Sequence, residues 1–276
     1  MKASAEVCTY LKDDDLPVFW CSGCGNGIIL SSLMRTFNAM DLLPNEIVVV
    51  TGIGCWGKAD DYLKTNSLHG THGRALPFAT GVKAANPDLT VVALMGDGDC
   101  ATIGGNHFLH AARRNIDVTA VVSNNFNYGM TGGQYSATTP AESYTSTSVY
   151  GNPEGEFDIC EVGVAARAGF VARSTVYHVN LLKNLLQQAI SHQGFSLVEV
   201  HSSCPVYFGR YNEMNSPVEM MRWWEKRGVP HQRYQNLNEE EQAERVPIGV
   251  LHEQPRPDFS SRYEQIQQSA QEKVGE

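Results

Sequence analysis

Hydrophobic residues of the chain form two kinds of pattern that alternate along the first two hundred positions. Short continuous runs of β-branched and aliphatic residues predict buried parallel strands. Such runs cover 47–50, 90–94 and 118–122, and two further strands are predicted near 169–173 and at 196–200. Between the runs, apolar residues recur at helical spacing. The predicted helices cover 28–40, 74–86, 103–114, 159–168 and 179–191. This alternation predicts an α/β fold with a mostly parallel sheet flanked by helices.

Polar segments interrupt this pattern and divide the chain. Residues 58–73 predict a polar loop, and residues 134–156, rich in Ser, Thr, Tyr, Gly and Pro, predict an ordered surface loop. Beyond residue 204 the pattern weakens to an amphipathic piece at 218–226, an apolar run at 248–251 and a polar helix at 258–273. We therefore expect a ligand-binding domain over 1–204. Residues 205–276 are interpreted as a C-terminal extension that packs on the core or on a partner subunit.

Glycine-rich and polar turns follow three of the predicted strands, with the sequences GIGC, GDGD and NN. The carboxyl ends of parallel strands lie at one edge of a sheet, where α/β proteins bind ligands. Asp97 offers a carboxylate oxygen and Asn125 an amide oxygen, which suit Mg²⁺ bound together with phosphate oxygens. Gly96 and Gly98 allow the backbone to approach a diphosphate closely.

Four of the seven cysteines form a second pattern. Cys21 and Cys24 form a C-x-x-C pair, Cys55 lies in the turn after the first strand, and Cys204 follows the last strand. Four thiolates at one sheet edge suit either Zn²⁺ or a [4Fe–4S] cluster, and the number of ligands does not separate these two. A typical zinc ribbon has two C-x-x-C pairs; the single pair here favours a cluster. The other three, which lack patterned neighbours, are expected to be small buried apolar residues: Cys8, Cys100 and Cys160.

Charge and composition narrow the possible partners and the compartment. The net charge of −9 argues against nucleic acid or an anionic membrane surface as the main partner. Charged residues make up 18% and hydrophobic residues 42% of the chain, as in globular enzymes. No apolar run approaches the roughly 18 residues of a membrane span, and the amino end lacks a signal-peptide pattern. An odd number of cysteines speaks against a disulfide framework, so a cytoplasmic protein is expected.

The spacing of these motifs resembles that of thiamine diphosphate enzymes, whose diphosphate-binding motif is GDG…NN. The segments YGMTGGQYSATTP, CSGCGNG and GIGC narrow the resemblance to the beta subunit of 2-oxoacid:ferredoxin oxidoreductases, over about residues 17–205. This resemblance implies the Rossmann-like thiamine diphosphate-binding fold.

The resemblance also implies roles for individual residues. Asp97 and Asn125 correspond to the side-chain ligands of Mg²⁺, and Asn127 to the position that offers a backbone carbonyl. The positions that correspond to thiamine and diphosphate contacts are Ile53, Gly54, Cys55, Trp56, Gly98, Asp99, Gly129 and Met130. The positions that correspond to ligands of one [4Fe–4S] cluster are Cys21, Cys24, Cys55 and Cys204.

The reaction implied is the thiamine-dependent oxidative decarboxylation of a 2-oxoacid, or the reverse carboxylation. Electrons pass through the cluster to ferredoxin, and coenzyme A takes the acyl group. An alpha subunit is expected to supply the glutamate that contacts the thiamine pyrimidine, in a heterodimer or a dimer of heterodimers. His69 and His72, in a stretch with Arg74 that resembles a motif of the family, are candidate catalytic residues because histidine exchanges protons near neutral pH. The alternative is that these residues orient the loop or contact the partner subunit.

Met130 bears on which 2-oxoacid is the substrate. Pyruvate-type relatives carry an asparagine at the corresponding position, which can hydrogen-bond to substrate, whereas methionine cannot. We therefore favour 2-oxoglutarate, with pyruvate or another 2-oxoacid as the alternative. Two other classes of function remain open: a non-oxidative thiamine enzyme, and a zinc-stabilised binding subunit without chemistry. Analysis of iron and acid-labile sulfide distinguishes both from the oxidoreductase.

Overall fold

Eight strands form one sheet in the computed structural model, which describes residues 5–214 and 216–275. In chain order they are β1 (Ile47–Thr51), β2 (Asn66–His69), β3 (Thr90–Gly96), β4 (Thr119–Asn124), β5 (Phe170–Thr175), β6 (Ser196–His201), β7 (Gly228–Pro230) and β8 (Val246–Glu253). They lie in the order β2-β1-β3-β4-β6-β5-β8-β7. Strands β1 to β6 pair in parallel, whereas β8 runs antiparallel to β5.

Helices cover both faces of this sheet. They are α1 (Ala5–Cys8), α2 (Asn26–Ala39), α3 (Ala75–Ala85), α4 (Gly105–Arg114), α5 (Ile159–Ala165), α6 (Val179–Ser191), α7 (Pro217–Arg227), α8 (His231–Tyr234), α9 (Glu239–Ala243) and α10 (Phe259–Gly275). Successive strand residues point to opposite faces. In β1, Ile47 and Val49 therefore join a core with α2 and α6, whereas Val48 and Val50 join a core with α3, α4 and α5. The predicted α/β class is confirmed.

The strand order creates a crevice between the carboxyl ends of β1 and β3. From β1 the chain moves outward to β2 at the sheet edge, and from β3 it moves to the other side to form β4. The segments that follow β1 and β3 therefore diverge. Such a switch in direction is where open α/β sheets bind ligands.

Two sequence-based expectations about loops are corrected. Residues 58–73, predicted as a loop, include the end of a 3-10 segment and the strand β2. The sequence of β2, Asn-Ser-Leu-His, is polar because this strand lies at the sheet edge and is mostly exposed, so it has no apolar run to reveal it. Residues 134–156 do form a loop, but several of its hydroxyl and amide side chains are buried rather than on the surface.

Part of the predicted C-terminal extension belongs to the sheet. Strand β8, predicted only as an apolar run, pairs with β5, and β7 pairs with β8. The fully buried Trp224 of α7 packs against Phe126, His201 and Trp223. A domain boundary at residue 204 stays a prediction. Over the described ranges, no helix has the length and apolar character needed to cross a bilayer.

Candidate functional site

Asp97 follows β3 directly and lies at the base of the crevice. Its side chain is buried, and its Oδ2 accepts hydrogen bonds from Ser136 Oγ at 2.5 Å and Thr138 Oγ1 at 2.9 Å. The backbone amide of Asn125 lies close enough to this carboxylate to lower its pKa. Burial raises the pKa of Asp97 to about 6, against the opposing effect of these hydrogen bonds. The sequence-predicted pair Asp97 and Asn125 is thus brought into contact.

Strand β4 ends at Asn124 and is followed by Asn125. The side chain of each asparagine closes a turn, which stops the strand here. Asn124 Oδ1 accepts from the amide of Phe126, and Asn125 Oδ1 accepts from the amide of Asn127, both at 3.2 Å. Asparagine favours such turns because its side-chain oxygen reaches the backbone two residues ahead. Phe126, which follows the two asparagines, has φ +62°, a conformation that is uncommon for a bulky residue and that tightens the turn. The result is a compact bend that Thr138 Oγ1, close to both Asn124 Oδ1 and Asp97 Oδ2, connects to the GDG turn.

The four predicted cysteines line one cavity at the same sheet edge. They share it with Phe19, Trp20, Asn125, Gly129, Pro205, Val206 and Tyr207. A Cβ built on Gly129 would lie 3.5 Å from Cys55 Sγ and 3.8 Å from Cys204 Sγ. The turn after β4 therefore contacts the cysteine cavity on one side and Asp97 on the other. Of the remaining cysteines, Cys100 and Cys160 are buried, whereas Cys8 is half-buried.

The spacing of the four sulfur atoms bears on which group they suit. Among the described residues, no three of these sulfurs lie within 4.8 Å of one another. A tetrahedral zinc site, with Zn–S bonds of about 2.3 Å, brings its sulfurs to about 3.8 Å from one another. The sulfurs therefore do not stand in the tight arrangement of a formed zinc site. Thiolates that bind separate iron atoms of one cluster occupy such a wider arrangement.

The thiols are strongly affected by their surroundings. Burial, with a smaller contribution from the neighbouring cysteines, raises the pKa of Cys24 to about 12 against the opposing effect of a backbone hydrogen bond. Burial and the same mutual repulsion raise the pKa of Cys55 to about 11. Four thiolates can therefore occupy this cavity together only beside positive charge, which a bound metal centre provides.

Asp99 connects the two turns that flank the crevice. Its Oδ1 accepts from His72 Nδ1 and from the amide of Gly73, both at 2.6 Å, and from the amide of Ile53 at 3.4 Å. Gly52 is required here, because a Cβ at that position would lie 1.9 Å from Asp99 Oδ2. The Asp99 carboxylate thus holds the segments after β1 and β2 in place.

The two candidate catalytic histidines have different surroundings. His72 Nδ1 faces Asp99, and its ring packs edge-on against Tyr128, 5.9 Å between centroids. His69 Nδ1 lies 3.1 Å from both Asp60 Oδ2 and Thr51 Oγ1 at the edge of the sheet. Only His72 therefore adjoins the GDG turn.

Open space above two glycines offers room for a ligand. A Cβ built on Gly96 or Gly54 would meet no atom within 4 Å, and Gly54 has φ +128°. At Gly98, in contrast, a Cβ would lie 2.3 Å from the Tyr128 ring, so this glycine is required by protein packing. Combined with the Asp97–Asn125 oxygens, this open backbone fits a metal-bound diphosphate.

The other predicted contact residues differ in accessibility. Ile53 and Met130 are exposed at the rim, at 37% and 43%. Trp56 is buried and donates from Nε1 to the carbonyl of Val121, so its side chain is not available to a ligand. The side chain of Asn127 is also buried and donates to the carbonyl of Asn125, which leaves its backbone rather than its amide group for a metal.

Four buried polar residues near the site were not identified from the sequence. Ser136 and Thr138 fell within a predicted surface loop, although the run Ser-Ala-Thr-Thr shows that hydroxyls are concentrated there. Arg173 and Glu199 pair through Nε and Oε2 at 2.6 Å inside the sheet. Each of these two residues is the one charged residue in a predicted strand. Since Arg and Glu are rarely buried unless paired, this pattern indicated an ion pair inside the sheet.

Comparisons with known proteins agree with this geometry. Residues 52–200 match the family described as thiamine pyrophosphate enzyme, C-terminal TPP binding domain. The chain is 45% identical over 253 residues to the 2-oxoglutarate synthase subunit KorB of Methanothermobacter marburgensis, covering 92% of this chain and 89% of that protein. It is 44% identical over 262 residues to the subunit of the same name from Archaeoglobus fulgidus, covering 95% and 94%.

A solved structure adds the three-dimensional likeness. A chain of the 2-oxoglutarate:ferredoxin oxidoreductase from Magnetococcus marinus, with 2-oxoglutarate, coenzyme A and succinyl-CoA bound, aligns with a TM-score of 0.84 and 29% identity. The alignment covers 95% of this chain and 89% of that chain. The chain therefore belongs to the family of thiamine pyrophosphate-binding beta subunits of 2-oxoacid:ferredoxin oxidoreductases.

Proposed function

We propose that this chain is the beta subunit of a 2-oxoglutarate:ferredoxin oxidoreductase and holds both thiamine diphosphate with Mg²⁺ and one [4Fe–4S] cluster. The observation that carries this proposal is the turn after β4. The backbone N–H of Asn125 lies near enough to the Asp97 carboxylate to lower its pKa, and Asn125 also lines the cavity of the four cysteines. One short segment thus brings an oxygen-donor site and a sulfur-donor site together.

In this proposal Mg²⁺ is held by the side chains of Asp97 and Asn125 and by the backbone carbonyl of Asn127. A hard divalent cation suits this set, since all three donors are oxygens. The backbone at Gly54 and Gly96 leaves space for the cofactor, and the rim residues Ile53 and Met130 flank that space. The turns at Gly98, Asp99 and Gly129 are the remaining candidate diphosphate contacts.

The cluster would be bound by Cys21, Cys24, Cys55 and Cys204. Their shared cavity, in which no three of the described sulfurs lie within 4.8 Å of one another, supports a cluster over zinc. Trp20 covers one side of this cavity and donates from Nε1 to the carbonyl of Cys55 at 2.6 Å, which orients the cysteine turn. An apolar wall around the cysteines limits access of water and oxygen to a bound cluster.

When bound, thiamine diphosphate supplies the decarboxylation chemistry and the cluster supplies a one-electron path. This chain positions both groups and supplies a proton-exchanging side chain at the GDG turn. Asp99 holds the proton of His72 on Nδ1, so that Nε2 is left free to accept a proton. His69 instead contacts Asp60 and Thr51 at the edge of the sheet, where its role is structural.

The proposed substrate is 2-oxoglutarate, with coenzyme A as acyl acceptor and ferredoxin as electron acceptor. Relatives 41–45% identical to this chain are named 2-oxoglutarate synthase subunits, and the solved neighbour holds 2-oxoglutarate and succinyl-CoA. Met130 supports the choice, because it stands at the rim of the site without a hydrogen-bonding group.

An alpha subunit is proposed to complete the site. The match to a thiamine family covers one thiamine pyrophosphate-binding domain, and the pyrimidine end of the cofactor needs a glutamate from a second domain. Apolar side chains remain exposed around the crevice, among them Ile53, Ile103, Met130 and Tyr135. A partner subunit would cover them, in a heterodimer or a dimer of heterodimers.

The test is to purify the chain anaerobically with its alpha subunit and measure iron, acid-labile sulfide and bound thiamine diphosphate. Turnover of 2-oxoglutarate and pyruvate is then compared, with coenzyme A and ferredoxin present. We expect about four iron atoms from one four-iron cluster in this chain and faster turnover of 2-oxoglutarate. Zinc in place of iron, or faster turnover of pyruvate, would contradict the cluster or the substrate respectively.

A further inference from the structure

Ser136 and Thr138, from the loop between β4 and α5, hold one particular oxygen of Asp97. Both hydroxyls reach Oδ2, at 2.5 Å and 2.9 Å, and both side chains are 2% exposed. The two side-chain donors thus face Oδ2 rather than Oδ1. A carboxylate fixed in this way presents its other oxygen in a single direction, as a metal ligand must be presented.

The hydroxyl of Thr138 has one proton and more than one nearby acceptor. Its Oγ1 lies 2.9 Å from Asp97 Oδ2 and 3.0 Å from Asn124 Oδ1. Ser136 Oγ, which donates to Asp97, lies 3.1 Å from the same hydroxyl. The proton is attracted most by the carboxylate, because a hydrogen bond to an ionised acceptor is the stronger one. Thr138 therefore donates to Asp97 when that carboxylate is charged.

A buried chain of hydrogen bonds fixes the position of Asn124 behind Thr138. Asn124 Nδ2 donates to Glu199 Oε1 at 2.8 Å, and Arg173 Nε donates to Glu199 Oε2 at 2.6 Å. Since an ionised carboxylate only accepts, the amide of Asn124 must turn its NH₂ group toward Glu199. Its oxygen then faces Thr138 and the amide of Phe126.

We propose that Ser136 and Thr138 are positioning residues that hold Asp97 Oδ2 so that Oδ1 is presented to the divalent cation. This inference rests on the proposed function, which places Mg²⁺ at Asp97. It assigns a task to the Ser-Ala-Thr-Thr run beyond building a loop.

The test uses the purified complex with its alpha subunit, stripped of Mg²⁺ and thiamine diphosphate. Calorimetry then measures thiamine diphosphate binding across a Mg²⁺ titration, for wild type, Thr138→Val and Thr138→Ser. Valine keeps the shape of threonine without the hydroxyl, and serine restores the hydroxyl. Thr80→Val is the matched control, because Thr80 Oγ1 donates only to the carbonyl of Leu76 within α3.

We expect Thr138→Val to raise the Mg²⁺ concentration for half-maximal binding by about 10-fold to 100-fold, the usual effect of removing a residue that orients a metal ligand. Thr138→Ser should return this value to within about threefold of wild type, and Thr80→Val should leave it unchanged. Cluster absorbance should be the same in all four proteins, which shows that the fold is retained.

Two results would overturn the inference. One is a Thr138→Val protein with the Mg²⁺ dependence of wild type; the other is a loss in Thr138→Val that Thr138→Ser does not restore, since packing would then be responsible. Failure of the proposed function looks different: wild type itself would then bind thiamine diphosphate without requiring a divalent cation, and the inference would fail with it.

Discussion

Replacing Arg173 by methionine should strongly destabilise the fold, although Arg173 lies outside the crevice. Arg173 is 5% exposed and donates to Glu199 at 2.6 Å and to Asp158 at 2.6 Å. Methionine retains the apolar stem and removes the charge, which leaves the 1% exposed Glu199 without its main counter-charge. Removing one partner of a buried ion pair costs about 3–5 kcal/mol, because the remaining charge is buried and uncompensated.

Urea unfolding of the isolated, reduced, metal-free chain at pH 7 measures this loss through tryptophan fluorescence. With a slope of about 3 kcal/mol per molar urea, the midpoint should fall by about 1–2 M. Arg35→Met is the matched control, since Arg35 pairs with Glu6 and their side chains are 40% and 53% exposed. Such an exposed pair contributes less than about 1 kcal/mol.

The pH dependence provides a second check. Burial raises the pKa of Glu199, but the charges of Arg173 and His201 outweigh burial and hold it well below its usual range. Ionised Glu199 therefore stabilises wild type above the unfolded pKa of about 4.3, and this contribution is lost as pH falls below it. Without Arg173, burial prevails and Glu199 takes up a proton, so the gap between wild type and Arg173→Met should narrow toward pH 4. An Arg173→Met midpoint no lower than that of Arg35→Met, or a gap that stays constant with pH, would refute this reasoning.

Three further predictions concern the site itself. Cys204→Ser should lower the iron and sulfide content and the cluster absorbance of the complex to less than half, whereas Cys160→Ala should leave them unchanged; metal analysis and absorption spectra decide this. The raised pKa of Asp97, about 6, means that folding favours its protonated form, so the apo chain should lose stability as pH rises from the unfolded pKa of about 4 to about 6. Urea unfolding should therefore show Asp97→Asn to be more stable than apo wild type by about 3 kcal/mol at pH 8, and equally stable at pH 4. The same variant should lose Mg²⁺-dependent binding of thiamine diphosphate. Met130→Asn should increase pyruvate turnover relative to 2-oxoglutarate by roughly tenfold, the size of one hydrogen bond, and an unchanged ratio in the ferredoxin-reduction assay would remove Met130 from substrate choice.

The central sheet and the location of the site could be predicted from the sequence because both depend on local signals. Continuous apolar runs identify three of the buried parallel strands, and the strands predicted near 169–173 and at 196–200 bring the total to five of the six strands β1 to β6. Since parallel strands end at the same edge, the turns that contain Cys55, Asp97 and Asn125 could be placed together without knowing the strand order. The structure brings these turns together as expected.

The side chains that orient the site could not be predicted in the same way. Ser136 and Thr138 look like ordinary loop residues, and only the fold of residues 134–156 over β3 and β4 makes them buried. Strand β8 was equally hidden, because its partner β5 lies more than seventy residues earlier in the chain. Contacts of this kind depend on tertiary packing, which overrides local propensity.

Two buried carboxylates in this structure differ in whether a cationic side chain lies beside them. Glu199 and Asp97 are both almost completely buried, yet the pKa of Glu199 is held low and that of Asp97 is raised to about 6. The difference lies in their partners: Glu199 has the guanidinium of Arg173, whereas in the described chain Asp97 receives hydrogen bonds from hydroxyls and backbone amides and pairs with no cationic side chain. Neutral donors orient a carboxylate but do not offset the cost of burying its charge. The fold therefore keeps Asp97 in place at a cost in stability that a divalent cation would offset.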